Sequence, residues 1–304
     1  MNTPLIAFML LVVSLTTPVH AGSKAKALAA QTQYVQVDGG RIAYRAIGSG
    51  SPVVLANRLR GTIDTWDPAF LDKLAERHTV ITFDYPGIGY STGKMPDDIG
   101  QIARVINEFT VAIKLEKFTM LGWSWGGAAA QAVLLDQPGR VTHAVLIGAN
   151  PPGRVEIPLQ QEFLERAVKP FNDLADEEVL FFEPRSEFSR AAARASHDRI
   201  YSRPDVASKI PSKMEQFQVY FTAAAGFHED KAGRRTKLTE IRTPVLVISG
   251  DHDISTAGQN WFPLIGQMRN AQFMFYSETG HAPHHQYPEL SAEYIADFIA
   301  LTPN

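Results

Sequence analysis

Five short, mainly apolar runs set the narrowest limits on how this chain folds: residues 52–56 (PVVLA), 79–83 (TVITF), 118–121 (FTML), 144–147 (AVLI) and 244–249 (PVLVIS). Runs of this length without polar alternation suit strands covered on both faces, as in a parallel sheet. The segments between them carry helical spacing. Trp66, Phe70, Leu71 and Leu74 share one side of 65–77. Ile102, Val105, Ile106, Phe109 and Ile113 line a segment that Asp97 or Asp98 can cap and that runs to about Leu115. An Ala-rich helix follows from Gly126 to Leu135. This alternation predicts βαβ units and a parallel sheet, an α/β fold. Residues 34–37 and 41–46 alternate around Asp38-Gly39-Gly40, which predicts a hairpin forming an antiparallel edge.

From about Asn150 to Thr239 the strand-like runs stop and charged, helix-favouring stretches take over, notably 159–169 and 185–199. Sheet texture resumes at 244, followed by a helix, a strand at 273–276 (FMFY) and a last helix over 288–300. The expected division is an α/β core of residues 22–149 and 240–304, interrupted by a helical cap over 150–239.

Composition excludes several classes of function. With 29 basic and 32 acidic residues the formal charge is −3, and no block of like charge occurs. No nucleic-acid footprint is expected. The absence of cysteine rules out disulfides, thiolate zinc sites and a cysteine nucleophile. Residues 5–13 (LIAFMLLVV) precede a small-residue cleavage pattern, Val19-His20-Ala21, although Met1-Asn2-Thr3 carries no cation. The pattern predicts a signal segment over residues 1–21 and export to the periplasm or exterior. The run is shorter than a bilayer span requires, so no stable membrane insertion is expected after cleavage.

Gly122-Trp123-Ser124-Trp125-Gly126 matches G-x-S-x-G between a predicted strand and a predicted helix. A sharp turn in that setting projects the serine hydroxyl and places it at a helix N-terminus. The N–H of Trp125 is positioned to donate to a developing oxyanion. A serine nucleophile needs a base. His281, in Gly280-His281-Ala282-Pro283 after the last predicted strand, is the candidate. His284 and His285 share that loop and are expected to be exposed. The three histidines match no established metal-ligand spacing. The orienting carboxylate is expected from Gly250-Asp251-His252-Asp253, with Asp253 preferred and Asp251 the alternative. The position after the preceding strand, near Asn150, offers an amide instead.

Taken together, these motifs and the Asp84-to-Gly89 turn resemble the α/β-hydrolase superfamily over about residues 34–299. The resemblance implies that 150–239 is the lid and that Ser124, Asp253 and His281 are catalytic. It also implies a second oxyanion amide after the third strand. There the family's common His-Gly is replaced by Asn57-Arg58-Leu59-Arg60-Gly61, so Leu59 is the expected donor and Arg58 the one-residue alternative. Asn57 with Trp66-Asp67-Pro68 is similar to the branch containing 3-oxoadipate enol-lactonases and carboxylesterases. The Ser124-Trp125 pair is similar to prolyl iminopeptidases.

The expected activity is cleavage of an ester or lactone of a small organic substrate through an acyl-enzyme, with no cofactor and no metal. An exopeptidase, a C–C hydrolase, a cofactor-free haloperoxidase and a non-catalytic binder are the alternatives. Arg58 is a candidate for binding a substrate carboxylate, but Arg58 and Arg60 are expected to be solvated or paired with lid acids. Trp123 either walls the pocket or packs in the core. Phe181-Phe182 is expected in the lid core. Oligomeric state is left open.

Overall fold

The computed structural model describes residues 26–137 and 139–302. The expected signal segment lies outside them.

The strands are β1 (Gln33–Val37), β2 (Gly40–Gly48), β3 (Pro52–Ala56), β4 (Thr79–Phe83), β5 (Phe118–Trp123), β6 (Val141–Ile147), β7 (Val245–Gly250) and β8 (Ala271–Tyr276). They form one sheet in the order β1-β2-β4-β3-β5-β6-β7-β8. The β1–β2 and β2–β4 pairings are antiparallel and all others are parallel, which gives the expected antiparallel edge. Every residue of β4, β5 and β7 is buried, which is why those strands read as mainly apolar runs. The edge strands β1 and β8 each bury only their last residue fully.

Helices α1 (Pro68–Leu74), α2 (Ile99–Ala112) and α3 (Trp125–Asp136) connect β3, β4, β5 and β6 in turn. Their ends have local causes. The Asp67 carboxylate accepts from the Ala69 N–H with Pro68 at the first turn, and Asp98 caps α2 through the Gln101 N–H at 2.8 Å. Helix α1 is therefore shorter than the spacing over 65–77 predicts.

Between β6 and β7 lie α4 (Gln161–Ala167), α5 (Leu174–Phe181), α6 (Glu187–Tyr201), α7 (Val206–Lys209), α8 (Met214–Glu229) and α9 (Arg234–Glu240), with no strand among the described residues. The helix expected after β7 is a 3-10 helix, Gly258–Leu264. The chain ends with α10 (Pro283–Gln286) and α11 (Pro288–Leu301).

The sheet separates two apolar layers. One packs α2 and α3 on the sheet together with Tyr220 and Phe227 of α8. The other packs α1 and α11, with Trp66, Phe70, Trp123 and Ile295 at its centre. Among the described residues no helix is long and apolar enough to cross a membrane.

Candidate active site

Ser124 stands between β5 and α3 with φ 58° and ψ −124°, a conformation that L-residues rarely adopt. The turn closes only because its flanking glycines lack side chains. A Cβ on Gly122 would lie 2.2 Å from the Gly126 carbonyl oxygen, and one on Gly126 would lie 2.2 Å from the carbonyl oxygen of Ala56. The second contact brings the first turn of α3 against the end of β3, where the 57–61 loop begins. Trp125 is the first helical residue of α3, and the leading N–H groups of a helix have no partner within it.

His281 follows β8, and its Nε2 lies 2.7 Å from Ser124 Oγ. Its Nδ1 lies 2.8 Å from Asp253 Oδ2. His281 and Asp253 are 1% and 6% exposed, so this chain of polar groups is shielded from competing water. Asp253 is held by more than the imidazole. Its Oδ1 accepts from the N–H groups of Ser255 and Thr256 at 2.8 and 2.9 Å, and its Oδ2 accepts from the Thr256 hydroxyl at 2.8 Å. Burial pushes the Asp253 carboxyl up. The charge of His281 and the hydrogen bonds from His281 and Thr256 outweigh it and hold the group below the usual carboxylate range. Asp251, the alternative acid, instead meets the ring of His252 at 2.7 Å. Thr256 was not anticipated, although an aspartate followed by Ser-Thr at this spacing is an Asx-turn signature.

The 57–61 loop is pinned at both ends. Asn57 is buried, donates to the Phe83 carbonyl at 2.6 Å and accepts from Trp66 Nε1 at 2.5 Å. Arg60 has φ 63° and is 3% exposed. Its guanidinium donates to the carbonyls of Ala167, Lys169, Pro170 and Pro211 and to Asn172 Oδ1, all within 3.0 Å. This corrects the expectation that Arg60 is solvated or paired with acids. Leu59 joins Ser124, Trp125, Phe163, Tyr220 and Phe227 in lining a mostly apolar cavity of about 160 Å³.

Arg58 is half-buried, with its guanidinium over the rings of Trp123 (5.2 Å) and Phe181 (4.5 Å). It forms no ion pair among the described residues, which corrects the expectation of pairing with lid acids, while half-burial leaves part of the side chain in contact with solvent. Trp123 is 1% exposed and donates from Nε1 to the His281 carbonyl at 2.9 Å, so it packs in the core beneath the turn. Phe181 packs against the cluster of Phe163, Ala167 and Leu180 and also meets Trp123 and Arg58, whereas Phe182 is buried with its backbone close against Gly280. His284 and His285 are also corrected. They are 0% and 2% exposed, packed against Trp123, because α10 turns inward instead of lying on the surface. Among the described residues no group of three or more His, Cys, Asp or Glu side chains is arranged to hold a metal ion.

A parallel sheet with a strained serine at the end of a central strand, and a histidine and a carboxylate reaching it from the last two strand ends, defines a class of α/β enzyme scaffold. Residues 52–288 match the family model described as alpha/beta hydrolase fold, and the chain belongs to that family.

Its relatives are diverse. The chain is 22% identical to the pimeloyl-[acyl-carrier protein] methyl ester esterase of Nitrosomonas europaea, over 84% of this chain and 96% of that protein. It is 27% identical to the 2-hydroxy-6-oxononadienedioate/2-hydroxy-6-oxononatrienedioate hydrolase of Paraburkholderia phymatum, over 89% and 96%. A 34% match to the dihydrolipoyllysine-residue acetyltransferase component of the acetoin cleaving system of Cupriavidus necator covers 39% of this chain and about a third (32%) of that protein. Among solved structures, an alpha/beta hydrolase fold protein from Chitinophaga pinensis superposes with a TM-score of 0.80 at 28% identity, over 90% of this chain and 99% of that one.

Proposed function

We propose that this chain is a serine hydrolase that cleaves an ester or lactone of a small organic molecule through an acyl-enzyme. The reading rests on one observation, the unbroken hydrogen-bond chain from Ser124 Oγ through the His281 ring to Asp253, at 2.7 and 2.8 Å. As Ser124 Oγ attacks the carbonyl carbon, its proton passes to His281 Nε2, and Asp253 stabilises the imidazolium that results. The carbonyl oxygen becomes an oxyanion that the N–H groups of Trp125 and Leu59 receive. Each such donor contributes about 3 kcal/mol where it has been measured in a protease. His281 then protonates the departing oxygen and an alcohol leaves, or the ring of a lactone opens. Water, deprotonated by the same nitrogen, attacks the acyl carbon, releases the acid and restores the serine.

The methyl ester esterase relative supports the choice of ester. Ser124→Ala is expected to lower kcat on 4-nitrophenyl acetate by about 10⁴-fold or more, with the fold intact by circular dichroism. Unchanged turnover by the folded variant would refute the reading.

The dienedioate hydrolase relative, matched over nearly all of both chains, favours C–C bond cleavage as a second reading. A 2-hydroxy-6-oxo-dienoate hydrolysed with far higher kcat/KM than any ester of a graded panel would establish it. Export after cleavage near Ala21 is a further part of the proposal, tested by N-terminal sequencing of the protein recovered from cells.

A further inference from the structure

We propose that a second cavity beside the Ser124 site is a subsite for a carboxylate carried by the substrate, and that the Arg58 guanidinium receives it. This rests on the hydrolase reading and narrows it to esters or lactones that retain a free acid group, such as half-esters of dicarboxylic acids.

The cavity has a volume of about 200 Å³, and its walls include Arg58, Arg60, Glu177, Phe181, His197 and Tyr201. Most of the charged groups around it already have partners. Arg60 is spent on the four carbonyls and the Asn172 side chain described above. Glu177 accepts from the Tyr201 hydroxyl at 3.0 Å, and its other oxygen lies 2.8 Å from His197 Nδ1. Nearby Arg199 is held by both oxygens of Asp67, at 2.8 and 2.6 Å.

Arg58 differs from all of these. Among the described residues its one hydrogen bond runs from Nη1 to the carbonyl of its neighbour Leu59, at 2.8 Å. Its Nε is buried without a partner. Burial lowers the pKa of this guanidinium from its usual value, against the opposite pull of Tyr201 and of Glu177, which does not bond to it. An arginine fork packed over two rings, with its Nε unpaired, can take both oxygens of a carboxylate.

Location ties this cavity to the reaction. Leu59, the next residue, lines the cavity of Ser124. Trp123, whose ring lies under the Arg58 guanidinium, immediately precedes the serine. The proposal requires a substrate whose reacting carbonyl lies at Ser124, with its apolar part in the 160 Å³ cavity, and whose anionic end reaches Arg58 in the second cavity.

Two matched pairs of esters test this. Mono(4-nitrophenyl) glutarate against 4-nitrophenyl pentanoate puts the charge on the acyl side. 4-Butyryloxybenzoate against phenyl butyrate puts it on the alcohol side. Wild type is expected to prefer the anionic member of at least one pair in kcat/KM, mainly through KM. Arg58→Gln is expected to reduce that preference about ten- to hundredfold, and Arg58→Lys to restore part of it. Labelling by a fluorophosphonate counts folded, competent sites in each variant.

Equal wild-type treatment of both members, or an equal loss on both in Arg58→Gln, would overturn the subsite while leaving the hydrolase reading in place. If Ser124 is labelled but neither pair turns over, protection of labelling by glutarate replaces turnover as the readout. Protection that disappears in Arg58→Gln supports the subsite, and no protection overturns it. Absence of both labelling and turnover in folded wild type removes the hydrolase reading and the subsite together.

Discussion

His284 and His285 carry chemistry that the proposed reaction does not use. Both nitrogens of His284 are buried without partners, while His285 Nε2 accepts from the Asp67 N–H at 3.3 Å. Burial drives the His284 pKa well below its ordinary value. Burial also takes His285 down to about 4, against the pull of Asp67 and with the help of Arg58 and Arg199. The folded chain therefore resists a proton that the unfolded chain accepts near 6.5. Between these two values the unfolded state binds more protons, so stability falls as pH falls through the window. For His285 the loss amounts to about 3 kcal/mol by pH 4. His285→Gln, whose amide oxygen can still accept from Asp67, is expected to flatten the dependence of unfolding free energy on pH between 6.5 and 4. Urea titrations at intervals across that window measure it, and an unchanged slope would show that His285 is not held neutral by the fold.

At the scale of elements, the segment between β6 and β7 is fastened to the sheet by a few buried charges on the loops that leave β3. Arg60 holds the chain leaving α4 and the chain entering α8, and the Asp67–Arg199 pair holds α6. Removing the Arg60 side chain strands carbonyls that have no other donor of comparable strength. Arg60→Ala is expected to destabilise the protein by at least about 2 kcal/mol and to speed amide exchange over residues 167–172. Denaturant unfolding and hydrogen-exchange mass spectrometry check the two parts, and wild-type exchange over that stretch would contradict the clasp.

The same contacts explain what was legible in the sequence. Central strands announce themselves because burial on both faces favours apolar side chains, with only a few small polar residues such as Thr79, Thr82, Thr119 and Ser249 among them. The Ser124 turn, the His281 loop and the Asp253 loop are legible because each is a local pattern tied to the end of a strand. Arg60 was misread because its acceptors are backbone carbonyls more than a hundred residues away, and a carbonyl has no signature in side-chain sequence. His284 and His285 were misread for a related reason. Whether a polar side chain in a loop is buried depends on which distant aromatic rings close over it.

For the whole molecule, sheet order turns three separated loops into one site. Strand β5 lies near the centre of the sheet, and β7 and β8 lie at the far edge from the N-terminal hairpin, so their outgoing loops converge at the same end of the parallel strands. Ser124 enters from β5, Asp253 from β7 and His281 from β8, while the helices between β6 and β7 supply Phe163, Tyr220 and Phe227 to the cavity above the serine. The helical segment thus shapes the space above Ser124, while the core supplies Ser124, Asp253 and His281.

The most direct measurement is peptide mapping by mass spectrometry after brief exposure of the native protein to a fluorophosphonate. A nucleophile activated by His281 forms a single phosphonate adduct, carried by the peptide that contains Ser124 and lost in folded His281→Ala. A folded wild-type protein that takes up no adduct, or takes it up at another residue, would contradict the account.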